Sequence, residues 1–343
     1  MSGIRDIAER AGVSTTTVSH VLNKSRYVHP EKVNRVMQAV QDLKYKPNML
    51  ARSLRRRTTN TIGLLVSDVE NPFFTEVARA VEAAAYRRGY NMIFCNTDEN
   101  LEKEILYVDV LFAKQVDGLI IAPVPGDHSY LNRYVEDDAR VVFVNRYIPG
   151  FPCPAVISDD EAAMYELASQ LFASGHRKLG AIIGLDPATT TLRRLEGLSR
   201  ALAKIGLTLD DVWQFHGNSR REGGYQAARE VISMEEPPTA IIAFNSVMLD
   251  GLLLGLLDLA PELISRIEIT GFGYSLVARA CQPSKRYIRQ PSYEVGTIAA
   301  NLLLDILTGE RPWNTDQIVV PNAIVKRGPT NEMVIPEIRT DKK

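Results

Sequence analysis

The sequence predicts a small all-α head of helix-turn-helix type, followed by a large α/β core of two doubly wound parallel sheets. Three observations carry this. Two short amphipathic helix patterns in residues 4–26 flank the break Ala11-Gly12-Val13. The length of 343 residues exceeds the ~250–300 that a single core tolerates. From Ile62 onward, continuous apolar runs alternate with helix patterns, as in parallel strands covered on both faces.

In the head, Ile4, Ile7 and Ala8 fall at i, i+3, i+4, and Val18, Val21 and Leu22 repeat that spacing. Gly12 permits positive φ at the turn, and Ser14 is placed to N-cap the second helix. Thr15, Thr16 and His20 lie off the apolar stripe, where hydroxyl and imidazole groups can reach base edges in a DNA major groove. A plain helical bundle with solvated threonines fits the same pattern. Pro30 opens a third helix carrying Val33, Val36, Met37, Val40 and Leu43.

Residues 48–61 read as a short helix capped by Asn48 and carrying Met49, Leu50 and Leu54, then Arg55 to Arg57. A helix this short needs a partner, either DNA or a second copy of itself, because nucleation is costly. A basic linker is the plainer reading. The expected organisation is a head over 1–46, a hinge helix and linker over 47–60, and a core over 61–343.

Strands are expected at 62–66, 91–95, 117–122, 140–144, 178–183, 239–244 and 266–272. Helices are expected at 73–88, 101–114, 160–174, 193–205, 222–233, 247–258 and 293–308. Ligands of such sheets bind beyond the carboxyl ends of the strands, so two facing sheets make a cleft.

The net charge of −1 hides an asymmetry: residues 1–60 hold 12 Lys and Arg against 4 Asp and Glu, and the remainder 28 against 37. A basic head on an acidic body suits a head that meets phosphate. Three widely spaced cysteines form no metal-ligand spacing and suit a reducing compartment. With no signal-peptide core and no apolar run approaching ~20 residues, a cytoplasmic location is expected. No GxGxxG after a strand, Walker loop, GxSxG or metal cluster is present, so an enzyme is disfavoured and neither cofactor nor metal is expected.

The segments VSTTTVSHVLNKSRYV, YKPNMLARSLRRRTTNTIGLLVSDVENPFF, VDGLIIAP, SGHRKLGAI, RRLEG, PPTAII, IRQPSYEVG and IVVPNAIVKRG, in this order, closely resemble LacI/GalR-type bacterial transcriptional repressors. The head is most similar to that of purine-responsive members. The resemblance implies a periplasmic-binding-protein-like core that the chain crosses three times. Its N-subdomain would span about 61–158 and 290–320, its C-subdomain about 159–289 and 321–343. It implies base reading by Thr15, Thr16 and His20, with Arg26 and Arg55 as further DNA contacts. Leu54 would wedge into the minor groove, a kink that costs a few kcal/mol of unstacking. Partners would be near-palindromic double-stranded operator DNA, a second copy of the chain in a homodimer, and a small-molecule effector.

Candidate effector residues are Phe73 and Phe74, whose faces suit a sugar or base, Asn145 and Arg146 at a strand end, Arg194, Asn245, and Gln290 at a crossover. Many sugar-responsive relatives carry Asp near 273 and 246, where this chain has Gly273 and Ser246. That departure leads to the expectation of an anionic effector, such as a sugar phosphate or acid sugar, in a carbohydrate-utilisation system. The base-binding arginine of purine-responsive relatives falls near Ala188, which disfavours a purine. The competing readings are a pure small-molecule binding protein and a regulator whose signal comes from a partner protein.

Overall fold

The computed structural model describes residues 3–23, 26–45, 58–273, 275–284 and 286–326. The chain divides into two compact units, Met1–Thr59 and Asn60–Lys343.

In the first unit, α1 (Ile4–Ala11), α2 (Thr15–Asn23) and α3 (Pro30–Asp42) enclose Ile7, Ala8, Ala11, Val18, Val36 and Ala39. Gly12 turns the chain at φ +61° while its N–H and that of Val13 close the end of α1. Arg35 of α3 donates Nε–H to the Ala11 carbonyl (2.8 Å) and Nη2–H to that of Gly12 (2.8 Å), so a cation caps the carbonyl end of α1. The Ser14 hydroxyl accepts from the Thr17 N–H (3.1 Å) and caps α2.

The second unit holds a six-stranded parallel sheet in the order β11-β5-β4-β3-β1-β2. Its strands are β1 (Thr61–Val66), β2 (Asn91–Asn96), β3 (Gly118–Ile121), β4 (Arg140–Val144), β5 (Ala155–Ser158) and β11 (Gln317–Val320). Alternation sorts its side chains onto two faces. Ile62, Leu64, Val66, Ile120 and Val142 join the core under the helices Pro72–Arg87 and Ser292–Thr308. Leu65, Leu119, Ile121 and Val141 join the core on the opposite face.

A second parallel sheet, β7-β6-β8-β9, comprises β6 (Leu179–Ile183), β7 (Trp213–His216), β8 (Ala240–Ala243) and β9 (Glu268–Gly271). Beside it, β10 (Arg286–Arg289) pairs antiparallel with β12 (Ala323–Lys326). The helices Arg221–Ser233 and Ser246–Leu259 pack closely here because Gly224 and Gly251 leave room. A Cβ on Gly251 would lie 2.0 Å from the Arg221 carbonyl oxygen.

The chain passes between the two subdomains after Ser158, after Arg289 and after Val320. Five strands, β5, β7, β10, β11 and β12, were not among those expected. Each has four residues; β5 is buried, whereas the others carry one inward-facing side chain or none. Runs of four residues are too short for an apolar run or a period-2 alternation to stand out, and β5 is preceded by Pro152 and Pro154. The helix expected from 193 begins at Thr189, since three consecutive β-branched threonines mask the helical pattern.

Candidate functional site

In the head, Thr15, Thr16 and Arg26 are exposed, and His20 is half-buried. Thr15 and Thr16 stand in the first turn of α2, beyond its Ser14 cap. Leu54 and Arg55 lie outside the described residues.

In the core, a cleft between the two sheets holds about 370 Å³ of space unfilled by protein atoms, open solvent included. Phe73, Phe74, Asn145, Arg146, Arg194, Asn245 and Gln290 all line it, at the carboxyl ends of the strands or at a crossover. Asn71 caps the helix Pro72–Arg87 by accepting from the Phe73 N–H (3.0 Å). That cap places Phe73 and Phe74 in the first turn, edge to face with centroids 5.3 Å apart. Both rings are also nearly enclosed in the core, so they support the wall as well as form it.

Asn145 follows β4 at φ +63°, a backbone region in which asparagine is several-fold enriched. Its Oδ1 is buried without a partner. Asn245 is committed to structure. Its Oδ1 accepts from the Met248 N–H (2.7 Å) to cap Ser246–Leu259, and its Nδ2 donates to the Ser219 carbonyl (3.2 Å). Thr190, Thr191, Ser219, Phe244 and Met248 complete much of the lining.

Each cavity arginine carries its own carboxylate. Arg146 forms a bidentate pair with Glu99 (2.6 and 2.7 Å), both side chains about 5% exposed. Burial is the largest single influence and works against the Arg146 charge, but the combined attraction of Glu99, Glu104 and Asp68 outweighs it and raises the guanidinium above its ordinary value. Arg194 pairs with Asp160 (2.6 Å), donates to the Phe244 carbonyl, and lies 3.9 Å above the Phe272 ring centroid. Burial lowers its pKa and Asp160 opposes the shift. The Nε atoms of both arginines are buried without a partner. Nearby, burial raises the Asp68 carboxyl above its ordinary value.

Two ion pairs join the subdomains at the edge of this cleft. Arg220 Nη1 reaches Asp98 Oδ1 at 2.8 Å, and Arg221 reaches Glu70 at 3.5 Å. Sequence reasoning missed Asp98, Glu99, Asp160 and Arg220, because isolated polar residues in loops and at helix starts carry no periodicity. The run Ser158-Asp159-Asp160 reads only as a helix cap. His176, which follows Gly175, bonds Thr239 Oγ1 (3.0 Å) and Glu268 (3.1 Å), a tie between loop and sheet. Among the described residues, no cluster of His, Cys, Asp or Glu could hold a metal, and no helix is long and apolar enough to cross a membrane.

Residues 3–48 match the family described as bacterial regulatory proteins, lacI family. Residues 59–270 match that of periplasmic binding proteins and the sugar-binding domain of the LacI family. The chain is 35% identical over 306 residues to the HTH-type transcriptional repressor PurR of Photobacterium profundum, covering 89% of this chain and 92% of that one. A LacI-family regulator from Enterococcus faecium with bound ribose is 27% identical with a TM-score of 0.69, over 79% of this chain and 98% of that one. The lac repressor dimer bound to operator and the anti-inducer ONPF superposes with a TM-score of 0.81 at 22% identity, over 95% of this chain and 98% of that one.

Proposed function

The chain belongs to the LacI family of bacterial regulatory proteins, and we propose that it represses transcription under the control of a small, neutral, polyhydroxylated carbohydrate bound between its two core subdomains. At family level it is a DNA-binding transcriptional repressor with a small-molecule effector, and the family is not enzymatic.

The observation that carries the effector class is the set of unpartnered polar atoms on buried cavity side chains. Arg146 Nε–H and Arg194 Nε–H each lack an acceptor, and Asn145 Oδ1 lacks a donor. Buried polar groups are nearly always satisfied, so these three atoms mark the hydrogen bonds a ligand supplies. A hydroxyl both donates and accepts, and several hydroxyls on one small ring answer all three. The edge-to-face phenylalanines offer an apolar wall for the C–H face of such a ring.

The anionic effector expected from Gly273 and Ser246 loses its support in the charge balance. Arg146 and Arg194 are matched by Glu99 and Asp160, and Asp68 adds a buried acid nearby. An anion would enter without a surplus of positive charge to receive it. Ala188, buried at the start of the helix Thr189–Ala203, offers a purine no hydrogen-bonding side chain. The ribose held by the Enterococcus faecium relative is of the proposed size and chemistry.

Two copies reading half-sites of a near-palindromic operator through Thr15, Thr16, His20 and Arg26, in the cytoplasm, complete the proposal. Leu54 and Arg55 enter it by resemblance alone. The test is a thermal-shift and calorimetric series of neutral pentoses and hexoses, their phosphates and acids, and purine bases. A neutral sugar at a hundred times its Kd is expected to stabilise the core by about 2.7 kcal/mol. Stabilisation only by acidic or phosphorylated sugars, or only by a purine, overturns the assignment. Absence of any response transfers the signal to a partner protein.

A further inference from the structure

One buried carboxylate touches the cavity arginine and two of the three passages between the subdomains. Asp160 is 1% exposed. Its Oδ2 accepts from Arg194 Nη2 at 2.6 Å. Its Oδ1 accepts from the Ser158 hydroxyl at 2.8 Å, on the last residue of β5, where the chain leaves the first subdomain. The same Oδ1 accepts from Asn322 Nδ2 at 3.0 Å, between β11 and β12, where the chain leaves that subdomain for the last time. The two passages are also joined by backbone, the Asp159 N–H donating to the Val320 carbonyl at 3.0 Å. Asn322 Oδ1 is buried without a partner, so this residue is held chiefly through its amide nitrogen.

We propose that Asp160 is a positioning residue that aims Arg194 into the cavity and transmits any displacement of that guanidinium to the Ser158 and Asn322 passages. The proposal rests on the reading of this cavity as the effector site and names how that site is wired to the hinge. The physical reason is the shortage of alternatives in a buried setting. A carboxylate with one oxygen on Arg194 and the other on Ser158 and Asn322 cannot follow the arginine without straining or breaking a bond at the hinge. Ligand hydroxyls that draw on Arg194 Nε therefore act on the hinge through a single group. A cleft residue with no such tie, such as Phe73, has no comparable route.

The consequence is measurable without a ligand, so its failure is distinct from failure of the effector assignment. Amide hydrogen exchange is followed on the full chain in wild type, Arg194→Met, Asp160→Asn and the double variant, with peptides spanning 318–326. Asparagine keeps an oxygen for Ser158 and Asn322 but turns an N–H toward Arg194, which cuts only the arginine side of the tie. Arg194→Met is expected to speed exchange at 318–326 by about 2- to 30-fold, although the polar partners of Arg194 are Asp160 and the Phe244 carbonyl, both outside that segment. Asp160→Asn is expected to do the same, and the double variant to add nothing to Asp160→Asn. If Arg194→Met fails to fold, Arg194→Lys replaces it, with a smaller acceleration of the same kind expected. Unchanged exchange at 318–326, additive effects in the double variant, or uniform acceleration across both sheets would each overturn the proposal.

Discussion

Replacing Glu104 by glutamine isolates a pH-dependent contribution to stability that the core geometry implies between pH 4 and 8. Glu104 lies on the helix Leu101–Ala113 with no exposed surface. Its Oε2 accepts from the Val124 N–H at 2.7 Å and its Oε1 from the Tyr130 hydroxyl at 2.6 Å. Burial dominates over these bonds and raises the carboxyl pKa from 4.5 to about 7. His128 faces the same carboxylate at 3.5 Å, and burial keeps its imidazole below its ordinary range, so it offers little compensating charge. The folded chain thus holds a proton that the unfolded chain has released. The contribution of Glu104 to stability is fully present below pH 4.5 and is lost as pH rises through the interval to about 7, for a total of about 3 kcal/mol.

Glutamine fits the same space. Its oxygen serves the Val124 N–H, and its amide donates to a Tyr130 hydroxyl turned to accept. The assay is urea unfolding at several pH values between 4 and 8. It is read by tryptophan fluorescence, which reports the core alone because Trp213 and Trp313 are the two tryptophans of the chain. The stability of wild type minus that of Glu104→Gln is expected to fall by about 3 kcal/mol across this range. A difference that stays constant with pH refutes the reasoning, since it means Glu104 ionises as freely in the fold as outside it.

Three further outcomes are expected. Arg220→Gln removes the cross-cleft pair with Asp98, which is partly exposed and worth up to about 1 kcal/mol; it should enlarge the radius of gyration in small-angle scattering, as should 1 M salt in wild type. Gly251→Ala drives a Cβ into the Arg221 carbonyl, and overpacking of this kind costs about 1–3 kcal/mol or more, seen as a lowered Tm. Thr16→Ala should relax base preference at one operator position by about 1–3 kcal/mol, measured by binding to a series of single-base variants, with core stability unchanged.

Much of the fold is legible in the residues themselves because it rests on local chemistry. Gly12 and Ser14 announce the turn and the cap of α2, and both perform those roles. The apolar runs of β1, β3, β4, β6 and β8 declare buried parallel strands, since each is enclosed on both faces. β7 and β11 escaped because edge strands bury little and alternate weakly. The seven cavity residues were reached from strand ends and from resemblance, and the structure gathers them around one space.

What the sequence determined by itself was therefore the order of elements, the basic head and the family of the chain. These depend on periodicity, composition and short motifs, which act over a few residues. The tertiary structure decided which charges meet. Asp160 contacts Arg194 and Asn322, and Glu99 contacts Arg146, across separations of up to 162 residues. No local pattern encodes such pairs, because a buried carboxylate and its arginine are brought together only by the docking of whole sheets and helices. That docking left each of the two cavity arginines with its own carboxylate, the arrangement on which the proposal of a neutral effector rests.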